Sequence, residues 1–365
     1  MILVLADDLS GAAECAAVAR AHGLSAEVQT EPDPSAEADV VAVDTDTRSL
    51  PPAAAAERVG AAAGAMLAAR PALVFKKADS VLRGPVLAEV AAVCRAAGSA
   101  RAVLAPANPG RGRCVRGGRY FVGGVPLDET PFARDPEYPA RTACVRSLLS
   151  ERSAGCVLGA VTVPDVTAAS DLDAAAAGCG AGDLPAGGAE FFAALLRARF
   201  ALAAAAAADP VPPAAGPVLW VRGSAFPSAE VECAAAVVTV GADWSWAAGS
   251  ARHALAAFGL VMLVPAARRC DGRAPAARLA ILAAAAAAVL RSARVDRLLL
   301  DGGATAGAVV RAAGWPRLAV GARAGVLVTL RDVRGRSPEV LVKPGSYPWP
   351  AGAVRHAGAV AELIR

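Results

Sequence analysis

Charged side chains follow three short apolar runs in the first quarter of the chain, in each case where the run ends. Asp7 and Asp8 come directly after the first run, Arg48 comes after the second, and the segment 76–84 closes the third. Adjacent carboxylates can bind a metal, accept hydrogen bonds from a polyol or act as a general base, but they can equally cap the start of a helix. The pair Asp7 and Asp8 therefore leaves a functional and a structural interpretation open.

The segment 76–84, Lys-Lys-Ala-Asp-Ser-Val-Leu-Arg-Gly, is the densest group of polar residues in the chain. Because it lies between a predicted strand and a predicted helix, its backbone N–H groups and the helix dipole would face the negative charge of a ligand. The Arg83 guanidinium can pair with a carboxylate, and Asp79 can accept a hydrogen bond from a hydroxyl. With Lys77 and Ser80 beside them, they predict a site for a hydroxylated acid. The alternative is a solvated turn.

The segment 44–48, Asp-Thr-Asp-Thr-Arg, resembles the Asp-x-Asp-x-Thr/Val motif of the haloacid dehalogenase phosphatases. That interpretation would make Asp44 a nucleophile. The fifth position is Arg48, however, so the match is incomplete. A simpler interpretation is that Arg48 offers its planar fork of donors to a carboxylate or a phosphate.

Nucleotide-binding signatures are weak in this sequence. Gly302 and Gly307 have the spacing of a P-loop, but Ala308 and Val309 occupy the positions where lysine and serine or threonine are required. A strand that runs into the glycine pair at 302–303 is what remains, and glycines there allow the backbone to approach phosphates closely. The segment 343–345, Lys-Pro-Gly, follows another predicted strand and could do the same.

Apolar strands alternate with helical segments along the chain, which predicts an α/β fold with mostly parallel sheets. The predicted strands of the first part are 2–6, 40–43, 72–75, 102–105 and 157–163, and its predicted helices are 11–22, 53–69, 86–97, 171–177 and 190–208. In such a sheet the loops after the strands gather on one edge, where ligands bind. The irregular segment 108–139 is too long for a simple connection, so we expect it to be functional.

A proline-rich stretch, 209–217, predicts a stiff linker between a first domain, 1–208, and a second, 218–365. Further strands are predicted after this linker, at 218–221, 298–300, 326–330 and 340–342.

Composition narrows the class of protein. Of the 365 residues 55% are apolar and 19% are charged, which excludes a disordered chain, and the net charge of +4 does not favour nucleic acid as a partner. The longest apolar stretch, 279–290, is shorter than the ~20 residues of a membrane span. Eight scattered cysteines and the lack of a signal sequence predict a cytoplasmic protein, and the three histidines lack metal-ligand spacing.

Taken in order, the motifs resemble the four-carbon acid sugar kinase family of tetronate, 3-oxo-tetronate and threonate kinases. The matching segments are 6–12, 44–48, 76–84, 108–113, 124–136, 187–191, 223–224, 302–305 and 343–345. The resemblance implies a first domain that holds a sugar acid, a second that holds ATP with Mg²⁺, and phosphoryl transfer in the cleft between them, typically to the 4-hydroxyl.

The resemblance also implies positions for individual residues. It places Asp8, Asp79, Ser80 and Arg83 at the acid site, and it places Ser224, Gly302, Gly303, Ala304, Thr305 and Gly345 at the ATP site. The chemistry of phosphoryl transfer would make Asp8 or Asp79 the general base and would pair Arg48 or Arg83 with the carboxylate of the substrate, with Asp7 and Lys77 as further candidates for binding the acid.

Two positions depart from the family pattern. Ala304 stands where the family usually has an acidic residue, and Glu232 stands where it tends to have glutamine. They motivate an alternative, a catalytically silent protein that binds the acid or the nucleotide. Nothing in the sequence specifies an oligomeric state, and a homodimer stays open.

Overall fold

The computed structural model describes residues 1–153, 161–203, 212–223, 236–266 and 273–345, together with Tyr347 and Trp349. The chain divides into two compact units, residues 1–206 and 207–365. Each unit contains a mostly parallel sheet with helices packed on it, so the predicted fold class is confirmed. The predicted linker begins at 209, but residues 204–211 lie outside the described part of the chain.

The sheet of the first unit has seven described strands, all parallel to their neighbours, in the order β2-β3-β1-β4-β10-β5-β9. In chain order the strands of this unit are β1 (Ile2–Ala6), β2 (Ala26–Gln29), β3 (Val40–Asp44), β4 (Leu73–Lys77), β5 (Arg101–Ala105), β6 (Arg113–Arg116), β7 (Arg119–Val122), β8 (Val125–Pro126), β9 (Val161–Thr162) and β10 (Asp183–Gly187). Strands β6, β7 and β8 form a separate antiparallel sheet inside the segment predicted to be irregular.

Helices cover both faces of this sheet. They are α1 (Leu9–Ala21), α2 (Pro52–Leu67), α3 (Val86–Ala97), α4 (Val145–Arg152), α5 (Ala169–Gly178) and α6 (Ala189–Phe200). Helix α2 packs against α3, and α6 packs against both α1 and α5. Because β1 is covered on both faces, all five of its residues are apolar and buried.

Several predicted boundaries in the first unit differ from the structure: the predicted strand 157–163 is described only from 161 and ends at 162 as β9, and two further differences are larger. Helix α6 ends at Phe200, where the prediction continued it to 208, because Ala201 adopts a left-handed backbone with φ +53°. Residues 201–203 are therefore not helical, and 204–208 lie outside the described residues. Strand β4 continues through Lys76 and Lys77, which the prediction placed in the following loop.

The second unit contains a mixed sheet in the order β12-β13-β11-β14-β17-β16-β15. Its described elements are β11 (Val218–Arg222), β12 (Ala236–Val240), α7 (Trp244–Phe258), β13 (Leu260–Pro265), α8 (Pro275–Ser292), β14 (Arg297–Asp301), α9 (Gly303–Ala312), β15 (Arg317–Ala324), β16 (Leu327–Asp332) and β17 (Glu339–Lys343). The first five strands in that order are parallel, and β16 is antiparallel to both of its neighbours.

The core of the second unit contains Trp220, which packs edge-to-face on Trp349 with ring centroids 5.8 Å apart. All five tryptophans of the chain lie in this unit. Among the described residues, helix α8 has the length and composition to cross a membrane, with a mean hydropathy of 1.4, but core helices pass the same test and 33% of it is buried.

Candidate active site

The predicted site residues of the first unit follow three adjacent parallel strands. Strand β1 lies between β3 and β4, so the loops after all three meet at one edge of the sheet. Asp7 and Asp8 follow β1, Arg48 follows β3, and Asp79 follows β4. Arg48 contacts all three carboxylates, so the structure brings together residues that are up to 72 positions apart (79 − 7) in the sequence.

Arg48 is the centre of this cluster. Its Nε lies 2.6 Å from Asp7 Oδ2 and its Nη1 lies 2.5 Å from Asp8 Oδ2. Its Nη2 lies 3.6 Å from Asp79 Oδ1, which is an ion pair beyond hydrogen-bond distance. Burial would lower the pKa of the guanidinium, but the three carboxylates hold that pKa well above its ordinary value. Arg48 is therefore a permanent positive charge that orients three acids.

Asp79 is almost fully occupied as a hydrogen-bond acceptor. Its Oδ2 accepts from the backbone N–H groups of Val81 and Arg83, each at 3.1 Å, and from Arg83 Nε at 3.0 Å. Its Oδ1 accepts from Arg83 Nη2 at 2.7 Å. Burial raises the pKa of this carboxyl, but Arg83 and Arg48 outweigh burial and hold the pKa well below its usual range. Asp79 is thus a stable anion that organises the loop around it.

The Asp7 and Asp8 side chains differ in what they bind. Asp8 caps α1: its Oδ1 accepts the Gly11 N–H at 2.7 Å, and its Oδ2 accepts the Ser10 hydroxyl at 2.9 Å. Asp7 Oδ1 is buried and has no hydrogen-bond partner in the described structure. Burial raises the Asp7 pKa, but Arg48 and Lys76 together outweigh burial and hold the pKa below its ordinary value. This carboxyl is therefore ionised and keeps one buried acceptor atom without a partner among the described residues.

Lys76 and Lys77 are successive residues of β4 and point to opposite faces of the sheet. Lys76 is completely buried, and its Nζ lies 2.9 Å from Glu89 Oε2 on α3. Lys77 Nζ donates to the Ala78 carbonyl at 2.8 Å and lies 3.8 Å from Glu14 Oε2 on α1. Helices α1 and α3 therefore each supply a glutamate to one of the two lysines.

Glycine at position 11 allows Lys77 to approach the start of α1. A Cβ atom at Gly11 would lie 3.0 Å from Asp8 Oδ1 and 3.3 Å from Lys77 Cγ, closer than side chains normally pack. Burial lowers the Lys77 pKa, but Glu14 together with Cys15, Asp7 and Asp8 raises it above its ordinary value, so the ammonium stays charged beside Asp8.

Ser80 and Arg83 contact the segment between α3 and α4. The Arg113 guanidinium on β6 donates to the Ser80 hydroxyl, and the Tyr120 hydroxyl on β7 donates to the Ser80 carbonyl. Arg83 Nη1 lies 3.6 Å from Asp135 Oδ2. The long irregular segment was expected to be functional, but the sequence did not predict that these three residues from it would contact the site.

In the second unit the predicted nucleotide-binding turns follow three adjacent parallel strands, β11, β14 and β17. Gly223 follows β11 and packs so closely on Thr305 that a Cβ atom there would overlap the threonine hydroxyl. Gly302 has φ +98°, a conformation that favours glycine, and its N–H donates to the Lys343 carbonyl at 3.0 Å. Gly303 begins α9, with Ala304 exposed beside it, and Gly345 lies two residues after β17. Ser224 and Glu232 lie outside the described residues.

A buried ion pair lies at the same strand ends. Lys343 Nζ donates to Asp301 Oδ1, and both side chains are 1% exposed. Arg222 Nε lies 3.7 Å from Asp301 Oδ2. Burial raises the Asp301 pKa although Lys343 and Arg222 oppose it. This edge of the second unit thus combines the start of α9, which has no side-chain cap among the described residues, with two cations that share one carboxylate.

Residues 2–229 match the family model described as the sugar-binding N-terminal domain. The chain is 37% identical to a D-threonate kinase of Salmonella typhimurium over 155 residues, which is 42% of this chain and 37% of the relative. It is 34% identical to a D-erythronate kinase of Heliobacterium modesticaldum over 158 residues, 42% of this chain and 36% of the relative. A 3-oxo-tetronate kinase of Methylobacterium radiotolerans is 34% identical over 161 residues, 41% of this chain and 37% of the relative. The matched segments thus span well under two thirds of these relatives.

Solved structures with the same fold cover almost the whole chain. A crystal structure of a Salmonella typhimurium LT2 protein superposes with a TM-score of 0.73 at 19% identity and covers 95% of this chain and 96% of its own. Haemophilus influenzae protein HI1011 superposes with a TM-score of 0.65 at 19% identity and covers 94% of this chain and 96% of its own. At this identity the likeness establishes the fold alone.

Proposed function

The chain belongs to the four-carbon acid sugar kinase family, and we propose that it is an ATP-dependent kinase that phosphorylates a small sugar acid, a tetronate or a 3-oxo-tetronate, at its 4-hydroxyl. The first unit would hold the acid and the second would hold Mg·ATP. The observation that carries the proposal is the cluster of Asp7, Asp8, Asp79, Arg48 and Arg83 at one sheet edge. The names of the relatives support the same reaction.

The two arginines of the cluster suit a carboxylate ligand. Arg48 Nη2 and Arg83 Nη1 each lie 3.6 Å from their nearest acidic partner, so both nitrogens can turn to a carboxylate of the substrate. Their side chains keep 17–18% exposure, unlike the fully buried Lys76. Asp7 Oδ1, which is buried and has no partner among the described residues, could accept a hydrogen bond from a hydroxyl of the acid that reaches it.

Of the two predicted general bases, we favour Asp8. Asp79 accepts four hydrogen bonds and has a strongly lowered pKa, so it is a poor acceptor for a further proton. Within the described parts of the chain, Asp8 Oδ1 accepts one hydrogen bond, from the Gly11 N–H at the start of α1. Phosphoryl transfer depends mainly on positioning and charge neutralisation, and Asp79, Arg48 and Lys77 would supply these beside Asp8.

The second unit would bind the nucleotide through its backbone. The N–H groups at the start of α9 and the positive end of its dipole favour a phosphate, and Lys343 and Arg222 add positive charge nearby. In the described residues no group of three or more acidic, histidine or cysteine side chains forms a metal site. Mg²⁺ would therefore be held largely by the phosphates of ATP.

The test is a coupled assay of ADP release with Mg·ATP and a panel of erythronate, threonate and their 3-oxo forms. We expect ADP release with one of these acids, and its loss in Asp8→Asn. Asp173→Asn, which alters an exposed ion pair between α5 and α6, is the control and should turn over like the wild type. Folded protein that binds an acid by calorimetry but releases no ADP with any of them would contradict the kinase proposal.

That last outcome would favour the second candidate, a silent binding protein. Ala304 supports it, because a methyl group is exposed in the first turn of α9 where the family usually has a carboxylate. Calorimetry with ATP alone separates the kinase from the silent binding protein, since tight ATP binding argues against a catalytically silent protein. The cytoplasmic location and a homodimer stay predictions.

A further inference from the structure

Arg152, the last residue of α4, contacts two separate segments of the first unit. Its Nη1 donates to the carbonyls of Val81 at 3.3 Å and Leu82 at 2.6 Å. Its Nη2 donates to the carbonyls of Tyr138 at 3.0 Å and Pro139 at 3.4 Å. The guanidinium therefore joins the loop after β4 to the chain before α4.

No carboxylate in the described chain forms an ion pair with Arg152, so every hydrogen bond that its side chain makes ends on a backbone carbonyl. Its guanidinium also lies over the Tyr138 ring, 5.8 Å from the centroid. Burial lowers the Arg152 pKa although Asp79 and Asp135 oppose it. A positive charge that is half-buried without an ion-pair partner costs free energy. Its presence here indicates that the planar guanidinium of Arg152 is needed to donate to several carbonyls at once.

The loop that Arg152 holds has a strained backbone. Leu82 is fully buried and has φ +60°, a left-handed conformation that is rare for a large side chain. The carbonyl of this same residue accepts the shortest Arg152 hydrogen bond. Leu82 lies directly before Arg83, so the backbone conformation of Leu82 sets the direction in which the Arg83 side chain leaves the backbone. Strain of this kind persists only where surrounding contacts hold it, and it concentrates at functional sites.

The second segment leads to Arg48. The Tyr138 hydroxyl donates to the Arg48 carbonyl at 2.5 Å, and Arg152 holds the carbonyl of Tyr138 and contacts its ring. Arg152 thus touches the backbone of the loop that carries Arg83 and, through Tyr138, the backbone of Arg48.

We propose that Arg152 is a positioning residue of the acid site: it fixes the loop 79–84 and the segment 138–139 to each other, so that Arg48 and Arg83 converge on one carboxylate. The proposal rests on the sugar-acid kinase function proposed above. A lysine cannot replace Arg152, because a single ammonium does not reach both segments in a fixed geometry.

The experiment compares Arg152→Met, Arg152→Lys and Tyr138→Phe with Arg146→Met, a change at an exposed arginine of the same helix. Hydrogen exchange of the Val81 and Arg83 amides, which both donate to Asp79, reports the loop without any turnover. Steady-state kinetics give KM for the sugar acid and KM for ATP separately. All measurements are made well below the melting temperature of the least stable variant.

We expect both Arg152 variants to lose at least tenfold protection at these amides and to raise KM for the acid at least tenfold, with KM for ATP unchanged. Tyr138→Phe should raise KM for the acid about threefold, and Arg146→Met should match the wild type. Wild-type protection and KM in Arg152→Lys, or a lower melting temperature alone in Arg152→Met, would overturn the proposal.

If Arg152→Met does not fold, Arg152→Lys and Tyr138→Phe still decide the matter. If the wild type phosphorylates no acid, the kinase proposal fails, while the exchange measurement and calorimetric affinity for the acid test Arg152 independently.

Discussion

The two units place different chemistry at the same topological position, the loops after adjacent parallel strands. In the first unit these loops carry charged side chains, of which Arg48 and Asp79 are the most extensively paired. In the second unit they carry glycines around one buried pair, Asp301 and Lys343. A network of side chains suits a small ligand with a few polar groups, whereas an open backbone suits a larger polyanion. The same fold element can thus serve either kind of recognition.

The largest difference should appear when one carboxylate is neutralised in the first unit. Asp79→Asn leaves Arg83 and Arg48 without their shared anion, and we expect the free energy of unfolding to fall by about 3–5 kcal/mol and turnover to disappear. Denaturant titration and the ADP-release assay measure the two effects. The exposed pair of Asp173 and Arg197 is the control, since Asp173→Asn should cost about 0.5 kcal/mol or less. Equal effects at both positions would remove the distinction between network and surface.

Double substitution sharpens the comparison. Lys343→Met leaves Asp301 buried without its closest cation, so we expect a loss of about 3 kcal/mol. Adding Asp301→Asn should restore part of that loss, because the buried carboxylate that lost its closest cation is then neutral. In the first unit, Asp79→Asn with Arg83→Met should show no such recovery, since Arg48 still faces a neutralised partner. Denaturant titration of the four variants measures their free energies of unfolding. If the second substitution restored stability in both units, the result would contradict a network of side chains in the first unit.

A smaller effect should follow from the backbone of the second unit. Gly302→Ala forces a Cβ atom onto a residue with φ +98°, so we expect a loss of about 1–2 kcal/mol and a raised KM for ATP without change in KM for the acid. Gly249→Ala is the matched control, because this glycine lies inside α7 with open space around it and alanine favours a helix. It should stabilise the protein slightly and leave both KM values unchanged. A Gly302→Ala protein with wild-type KM for ATP would argue against nucleotide contact there.

The smallest expected difference between the two units is in how their stability responds to low pH. The Asp79 pKa is lowered in the folded state, so its stabilisation is complete above the unfolded value of about 3.9 and is lost as the pH falls through the folded value. The Asp301 pKa is raised by burial, so the folded state binds that proton more tightly and the contribution of Asp301 to stability decreases as the pH rises from about 4. Acid should therefore weaken the first unit before the second.

Tryptophan fluorescence can follow the second unit alone, because all five tryptophans lie in it, while circular dichroism follows both units. As the pH is lowered from 7 to 3, we expect the dichroism signal to change before the tryptophan emission. Coincident changes would contradict the separate responses of Asp79 and Asp301.

The sequence predicts the convergence of Asp7, Asp8, Arg48 and the segment 76–84 because loops after parallel strands share an edge, whatever the details of packing. It does not predict that Arg48 and Arg83 are paired with aspartates, since side-chain pairing depends on distances that only the folded chain defines. Likewise Arg152 follows a long irregular segment whose path is decided by tertiary contacts, and no local pattern indicates its partners.

Propensity misled the prediction at two places. The alanine run after Phe200 favours a helix, yet α6 ends there with Ala201 in a left-handed conformation. Strand β10, Asp-Leu-Pro-Ala-Gly, was not predicted because proline and glycine are poor strand formers. Its pairing with β4 and β5 overrides that preference, and Gly187 packs so closely on the Ala105 carbonyl that a larger residue could not fit.

The lysine pair at the end of β4 has a consequence for how the chain folds. In the native alignment Lys76 lies opposite Leu5 and Lys77 opposite Ala6 on β1. A slip of one residue would exchange the two lysines between the faces of the sheet, and one of the two glutamates would then face an apolar residue, Phe75 or Ala78, in place of its lysine. An apolar strand such as Leu-Val-Phe could tolerate several alignments, but these two buried glutamates make the shifted ones costly. The ion pairs to α1 and α3 thus favour the native strand register in the sheet that carries the site.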